Sequence, residues 1–178
     1  MRKIANEELR RPTVEEFARM KKMPVTVVLD NVRSAQNTGS FFRTGDAFAV
    51  ERIALCGITA APPDREIHKT ALGAEQSVEW CRYERTADCV DDLHAKGYRV
   101  LAVEQVEGAS MLGGFRPVEG ERYALVFGNE VEGVDQNVVD LCDGAIEIPQ
   151  VGTKHSLNVS VAAGVVLWDF FCRIGLKP

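Results

Sequence analysis

The chain has 178 residues, 46% of them hydrophobic and 26% charged, which suits one globular domain with a single core. Its net charge of −5 argues against a protein that wraps nucleic acid over its whole surface, because phosphate binding needs positive charge. Five scattered cysteines without a CxxC pair, and three histidines without ligand spacing, exclude a disulfide framework or a metal site from the expectations. They fit a reduced, cytoplasmic protein.

Charge is unevenly spread. Between Arg2 and Lys22 seven basic residues face four acidic ones, a local +3 that leaves −8 for the remainder. A basic arm on an acidic body suits an RNA contact, and a solvated helix face accounts for it equally well. No apolar run follows Met1-Arg-Lys, so a secretory signal is not expected. The longest apolar stretch, Val159 to Trp168, is too short to cross a bilayer.

In chain order, Thr13-Val-Glu-Glu16 is a capping-box pattern that predicts a helix to about Lys21. Pro24 ends it. Val25–Val32 is nearly continuously apolar, as in a strand buried on both faces. A helix over Thr38–Phe48, a strand over Arg52–Cys56 and a short helix over Glu66–Leu72 come next. Ser77–Tyr83 reads as a strand, Ala87–Lys96 as a helix and Tyr98–Glu104 as a strand. Gln105–Gly120 holds Gly108, Gly113, Gly114 and Pro117, ends on Gly120 and reads as a mobile loop. Strand Arg122–Phe127, helix Asp135–Leu141, strand Ala145–Ile148 and helix Asn158–Arg173 complete the chain. This alternation predicts an α/β fold, a mostly parallel sheet with helices on both faces. Residues 1–24 form the arm with its short helix, and 25–178 form one domain.

Three polar motifs fall at the carboxyl ends of predicted strands, where parallel sheets place ligands. The first is Asn37-x-Gly39-x-x-x-Arg43. Asn37 near the helix N-cap, Gly39 admitting a partner to the backbone and Arg43 aiming a planar fork of donors at phosphate would make a site. A capping asparagine and a surface arginine would explain the same residues without function. The second is Gly128-Asn-Glu130-x-x-Gly133; it is not a dinucleotide fingerprint, because GxGxxG is absent. Glu130 there would serve a site or merely hold a loop through backbone donors. The third, Ile148-Pro-Gln-Val-Gly152 through Ser156-Leu157-Asn158, opens the last helix, and either polar residue would cap it. His155 is a weak candidate base without an identified partner. The closing helix is apolar almost all round, so burial within the protein or against a second subunit is expected.

Together these motifs resemble those of the SpoU (TrmH-like) family of RNA 2′-O-ribose methyltransferases, within the SPOUT superfamily. The resemblance spans about Val25 to Phe171, with order and spacing in agreement. One departure is Ala49, where the family often has glycine. The resemblance implies a C-terminal deep trefoil knot, a homodimer whose site the neighbouring subunit completes, and bound S-adenosylmethionine. It implies cofactor contacts at Val103, Gly128, Ile148 and Leu157. It further implies that Arg43 lies beside the ribose hydroxyl, Asn37 positions the ribose-phosphate, Glu130 braces the loop, and Ser156 with Asn158 shapes the pocket. The RNA substrate expected from the short N-terminal segment is tRNA, with rRNA open; no membrane or metal partner is expected. A non-catalytic RNA-binding or ribosome-assembly protein on the same scaffold, or a nucleotide-binding oxidoreductase, are the competing readings.

Overall fold

The computed structural model describes residues 1–176. Helix α1 (Val14–Arg19) carries the expected capping box, with Thr13 accepting from Glu16 N. Its Phe17 is buried and joins the core, so the N-terminal segment packs on the domain. Strand β1 (Met23–Asp30) starts two residues before the predicted position and includes Pro24. Then follow α2 (Ala35–Ala47), β2 (Val50–Cys56), α3 (Arg65–Ala71), β3 (Trp80–Tyr83), α4 (Thr86–Ala95), β4 (Tyr98–Val103), β5 (Ser110–Met111), β6 (Arg122–Phe127), α5 (Gln136–Val139), β7 (Gly144–Glu147) and α6 (Val159–Ile174).

The sheet has seven parallel strands in the order β3-β2-β1-β6-β4-β7-β5. Alternate residues of each central strand serve opposite faces. Val27, Leu29, Leu55, Leu101 and Leu125 pack in one core with α2, α3 and α6. Val28, Ala54, Val100, Ala124 and Val126 pack in the other with α4 and α5. Two-sided burial is why these strands read as unbroken apolar runs rather than alternating ones.

Two expectations are corrected. The stretch after β4 is not a plain loop: β5 pairs with β7 through Ser110–Ile146 and Met111–Glu147 and forms the sheet edge. The glycines and proline around it hid it, because an exposed two-residue strand carries no periodicity. Helix α2 begins at Ala35 because Ser34, not Asn37, is its cap; the Ser34 hydroxyl accepts from Asn37 N at 3.2 Å. That difference places Asn37 inside the first turn with its amide free for other partners.

Helix α6 buries Ala163, Val166, Leu167 and Phe170 and leaves Val161, Val165 and Trp168 exposed at 54%, 40% and 56%. Their spacing of four and three residues draws an apolar stripe on the outer face. At the helix's far end Phe48 packs against Trp168 and Phe171, tying α6 to the end of α2. No helix among the described residues is long and apolar enough to cross a membrane.

Candidate active site

Strands β4, β6 and β7 are neighbours, and a cavity of about 460 Å³ opens at their carboxyl ends. Three segments wall it: Val103–Gln105 after β4, Gly128–Gly133 after β6, and Ile148 with His155–Asn158 after β7. The four residues expected to contact a cofactor, Val103, Gly128, Ile148 and Leu157, all line it, as do Glu130, Ser156 and Asn158.

The Gly128 segment folds back on itself. Asn129 and Gly133 exchange backbone hydrogen bonds at 2.9 Å in both directions. A side chain at Gly128 would bring its Cβ within 2.1 Å of Val134 N, so only glycine allows this return. Gly133 has φ of 74° and lies against Glu104, whose carboxylate accepts from Val134 N and Gln105 N. Asn129 donates to the Asn31 carbonyl and accepts from Val131 N and Glu132 N. The second motif is thus a rigid hairpin pinned to β1 and β4.

Glu130 reaches from this hairpin to the β1–α2 turn. It accepts from Arg33 N (2.8 Å), Ser34 N (3.0 Å) and the Asn37 side chain (2.8 Å). Burial raises the pKa of its carboxyl, but these three donors outweigh burial and hold it below the usual glutamate range. The Asn37 oxygen in turn accepts from Asn158 at 3.2 Å and from the Ser160 hydroxyl at 3.4 Å. Asn158 is the residue that caps α6, accepting from Ser160 N and Val161 N. Ser156 is exposed and plays no capping part. One hydrogen-bonded chain therefore runs through all three motifs: Asn158, Asn37, Glu130.

The model of the SpoU rRNA Methylase family matches residues 24–168. The chain belongs to the SpoU family. A Thermus thermophilus relative, named tRNA (guanosine(18)-2′-O)-methyltransferase, is 34% identical over 163 residues, covering 91% of this chain and 81% of its own length. Relatives from Staphylococcus aureus, named for the TrmH family of tRNA/rRNA methyltransferases, are 30% identical over 88% of this chain. The chain spans 64% of their length, somewhat under two thirds. The AdoMet-bound rRNA methyltransferase of Sinorhizobium meliloti superposes with a TM-score of 0.78 at 26% identity, covering 88% of this chain and 59% of that one.

Against the SpoU motifs, two residues do not sit as expected. Gly39 does not leave its backbone open to a ligand; a Cβ there would meet Thr70 Oγ1 at 2.1 Å and the Ile67 carbonyl at 2.3 Å, so the close partner is α3. Arg43 is exposed and outside the cavity lining of its own chain. It lies six residues beyond Asn37, about 9 Å farther along the helix, on the face shared with Gln36 and Ser40. Its guanidinium has no ion-pair or hydrogen-bond partner among the described residues.

Four residues of the site escaped the sequence reading as individuals. Glu104 and Gln105 line the cavity, and Gln105 Nε2 donates to the His155 carbonyl at 2.7 Å, joining two of its walls. A glutamate at the end of a buried strand was the available signal. Asn129 and Ser160 stood within the recognised motifs but nothing in spacing marked their bonds.

Proposed function

We propose that this chain is an S-adenosylmethionine-dependent RNA methyltransferase acting on a ribose 2′-hydroxyl. The observation that carries the reading is the cavity formed by the end of β4 and the loops of the second and third motifs, with Glu130 and Asn158 joining it to Asn37 of the first motif on α2. Its charge supports the same cofactor. Glu104, Glu130, Glu132 and Glu147 line the cavity and, among the described residues, no lysine or arginine does, which suits a sulfonium and disfavours the diphosphate of a dinucleotide. Glycine and aliphatic walls at Val103, Gly128, Ile148 and Leu157 offer backbone groups and apolar surface for the adenosine moiety.

When bound, S-adenosylmethionine supplies an electrophilic methyl group whose leaving thioether is neutral. The protein's part is then in-line positioning of the hydroxyl and stabilisation of its developing negative charge. Arg43 takes that part and holds the adjacent phosphate; always protonated, it is not the base. Asn37, held at both ends of its amide, fixes the ribose-phosphate and the pitch of α2.

Arg43 does not line its own cavity, so the reading includes a homodimer in which it serves the partner's. The exposed stripe Val161, Val165, Trp168 on α6 supplies an apolar surface for such pairing. The knot belongs to the same reading, supported by the strand order that sets β6 and β7 on either side of β4. tRNA is the favoured substrate, on the name of the Thermus relative, with rRNA the other choice. The basic segment up to Lys22 assists RNA capture, and a cytoplasmic location follows from such a substrate.

Calorimetry with S-adenosylmethionine and NADH tests the cofactor: binding of the first and not the second is expected. Tritiated-methyl transfer to bulk tRNA and rRNA separates the enzyme from a non-catalytic RNA-binding protein. NADH binding, or cofactor binding without transfer to any RNA, would overturn the proposal.

A further inference from the structure

The carboxyl end of the sheet is wider than the cavity. The order β3-β2-β1-β6 leaves three strand ends beside it, about 14 Å of rim at the usual strand spacing. The loops there are tightly pinned to one another. Thr59 Oγ1 accepts from Val32 N and donates to the Leu29 carbonyl. Asn31 Oδ1 accepts from Ile58 N, and Gly57 N donates to the Tyr83 carbonyl.

Two arginines stand on this rim. Arg33 is exposed, and its backbone N–H is held by Glu130 at the cavity's mouth. Its guanidinium has no hydrogen-bond or ion-pair partner among the described residues. Arg82, near the end of β3, is exposed and donates to the carbonyls of Thr59 (3.3 Å) and Gly57 (3.1 Å), also without a carboxylate partner among the described residues. Between them Ile58 is 65% exposed, an outward-facing apolar side chain on a loop fixed by its own N–H. Two carboxylates beside this rim are already engaged: Asp64 caps α3, and Glu66 binds Gln36 and Lys69. Glu84, just after β3, is exposed and makes no hydrogen bond or ion pair among the described residues.

Exposed guanidinium groups without carboxylate partners, flanking an exposed apolar side chain on a rim whose loops are pinned to one another, are what single-stranded nucleic acid requires: cations for phosphate and an apolar contact for a base. We propose that Arg33, Ile58 and Arg82 form a track that carries the RNA strand along the β1–β2–β3 rim to the cavity. Arg33 holds the next phosphate along the strand from the one that Arg43 holds, Arg82 holds one farther out, and a base packs on Ile58. This rests on the RNA methyltransferase reading and assigns the strand's path within it. Glu130 then has a second consequence, since the carboxylate that braces Asn37 also fixes the arginine at the entrance.

Fluorescence anisotropy with labelled bulk tRNA and rRNA fragments, across a salt series, tests the track in the full-length protein. Arg33→Ala, Arg82→Ala and the double variant are compared with Arg99→Ala, an exposed arginine at the opposite end of the sheet. The double variant is expected to weaken binding roughly tenfold and to flatten the logarithmic salt dependence by about 1.4 to 1.8, one phosphate per arginine. Ile58→Ser should lower affinity with the salt slope unchanged. Arg99→Ala should bind as wild type, and calorimetric binding of S-adenosylmethionine should be intact in every variant. Arg82→Ala releases two loop carbonyls, so Arg33→Ala, which breaks no bond of its side chain, decides the matter alone if Arg82→Ala loses cofactor binding. Wild-type RNA affinity and slope in Arg33→Ala, or an equal loss in Arg99→Ala, would overturn the track and leave the methyltransferase reading standing. A wild-type protein that neither binds RNA nor transfers methyl groups would overturn both.

Discussion

Asn37 and Glu130, 93 residues apart in the chain, meet at 2.8 Å. The bond joins the first turn of α2 to the hairpin after β6, and the other end of the Asn37 amide continues it to the cap of α6. Both partners are part-buried, where a hydrogen bond to a charged acceptor is worth about 1.5–3 kcal/mol. The three motifs are therefore one mechanical unit.

Glu130→Ala removes the acceptor of three donors and should destabilise the protein by about 2–4 kcal/mol, read by urea denaturation. Methyl transfer should fall more than S-adenosylmethionine binding, because the β1–α2 turn loses its anchor while the cavity walls remain.

The same carboxylate sets a pH dependence. Its folded pKa is depressed, so its contribution is fully present above the unfolded value of about 4.3 and is lost as pH falls through the lower folded value. The stability difference between wild type and Glu130→Gln should be flat from pH 8 to pH 5 and collapse in more acidic solution. A difference that instead changes between pH 6 and pH 8 would implicate another group.

Gly39→Ala should destabilise by about 1–3 kcal/mol, since the added carbon falls on Thr70 Oγ1 and the Ile67 carbonyl. Thermal melting checks it. The loss should appear without any cofactor present, as expected of helix packing rather than ligand contact.

Ala49→Gly should stabilise the protein by about 1 kcal/mol, because Ala49 has φ of 50° and glycine adopts that conformation without a Cβ penalty. A rise in Tm of about 3 °C is the expected reading.

Arg43→Ala should reduce transfer by about 100-fold or more with S-adenosylmethionine affinity retained. Differently tagged chains, one Arg43→Ala and one Gly128→Trp, should regain activity when assembled together and not when assayed apart. Failure of the mixed assembly to recover any transfer would assign Arg43 to its own subunit's chemistry or to none.

Much of this architecture was legible in the residues. Two-sided burial wrote the central strands as apolar runs, and the capping box at Thr13 and the glycine after α4 marked helix ends. The cavity walls were legible because parallel strands deliver their following loops to one edge. What stayed hidden depends on side-chain direction. Ser34 and Asn37 are both good caps, and only the folded turn decides that Ser34 caps and Asn37 bridges. Gly39 and Gly128 look alike in sequence, yet one admits a helix and the other the return of its own loop. Arg43 is the residue the motif marks for chemistry, yet it does not line the cavity of its own chain, which spacing along α2 alone does not reveal. Strand β5 is held by pairing with β7 and has no pattern of its own.

Incubation of the protein with tritiated S-adenosylmethionine and bulk tRNA and rRNA, followed by alkaline hydrolysis and nucleoside mass spectrometry, tests the central claim most directly. The label should survive in alkali-resistant dinucleotides and reside on a ribose 2′ oxygen. Label on a base, or none on RNA from a protein that binds the cofactor, would contradict the account.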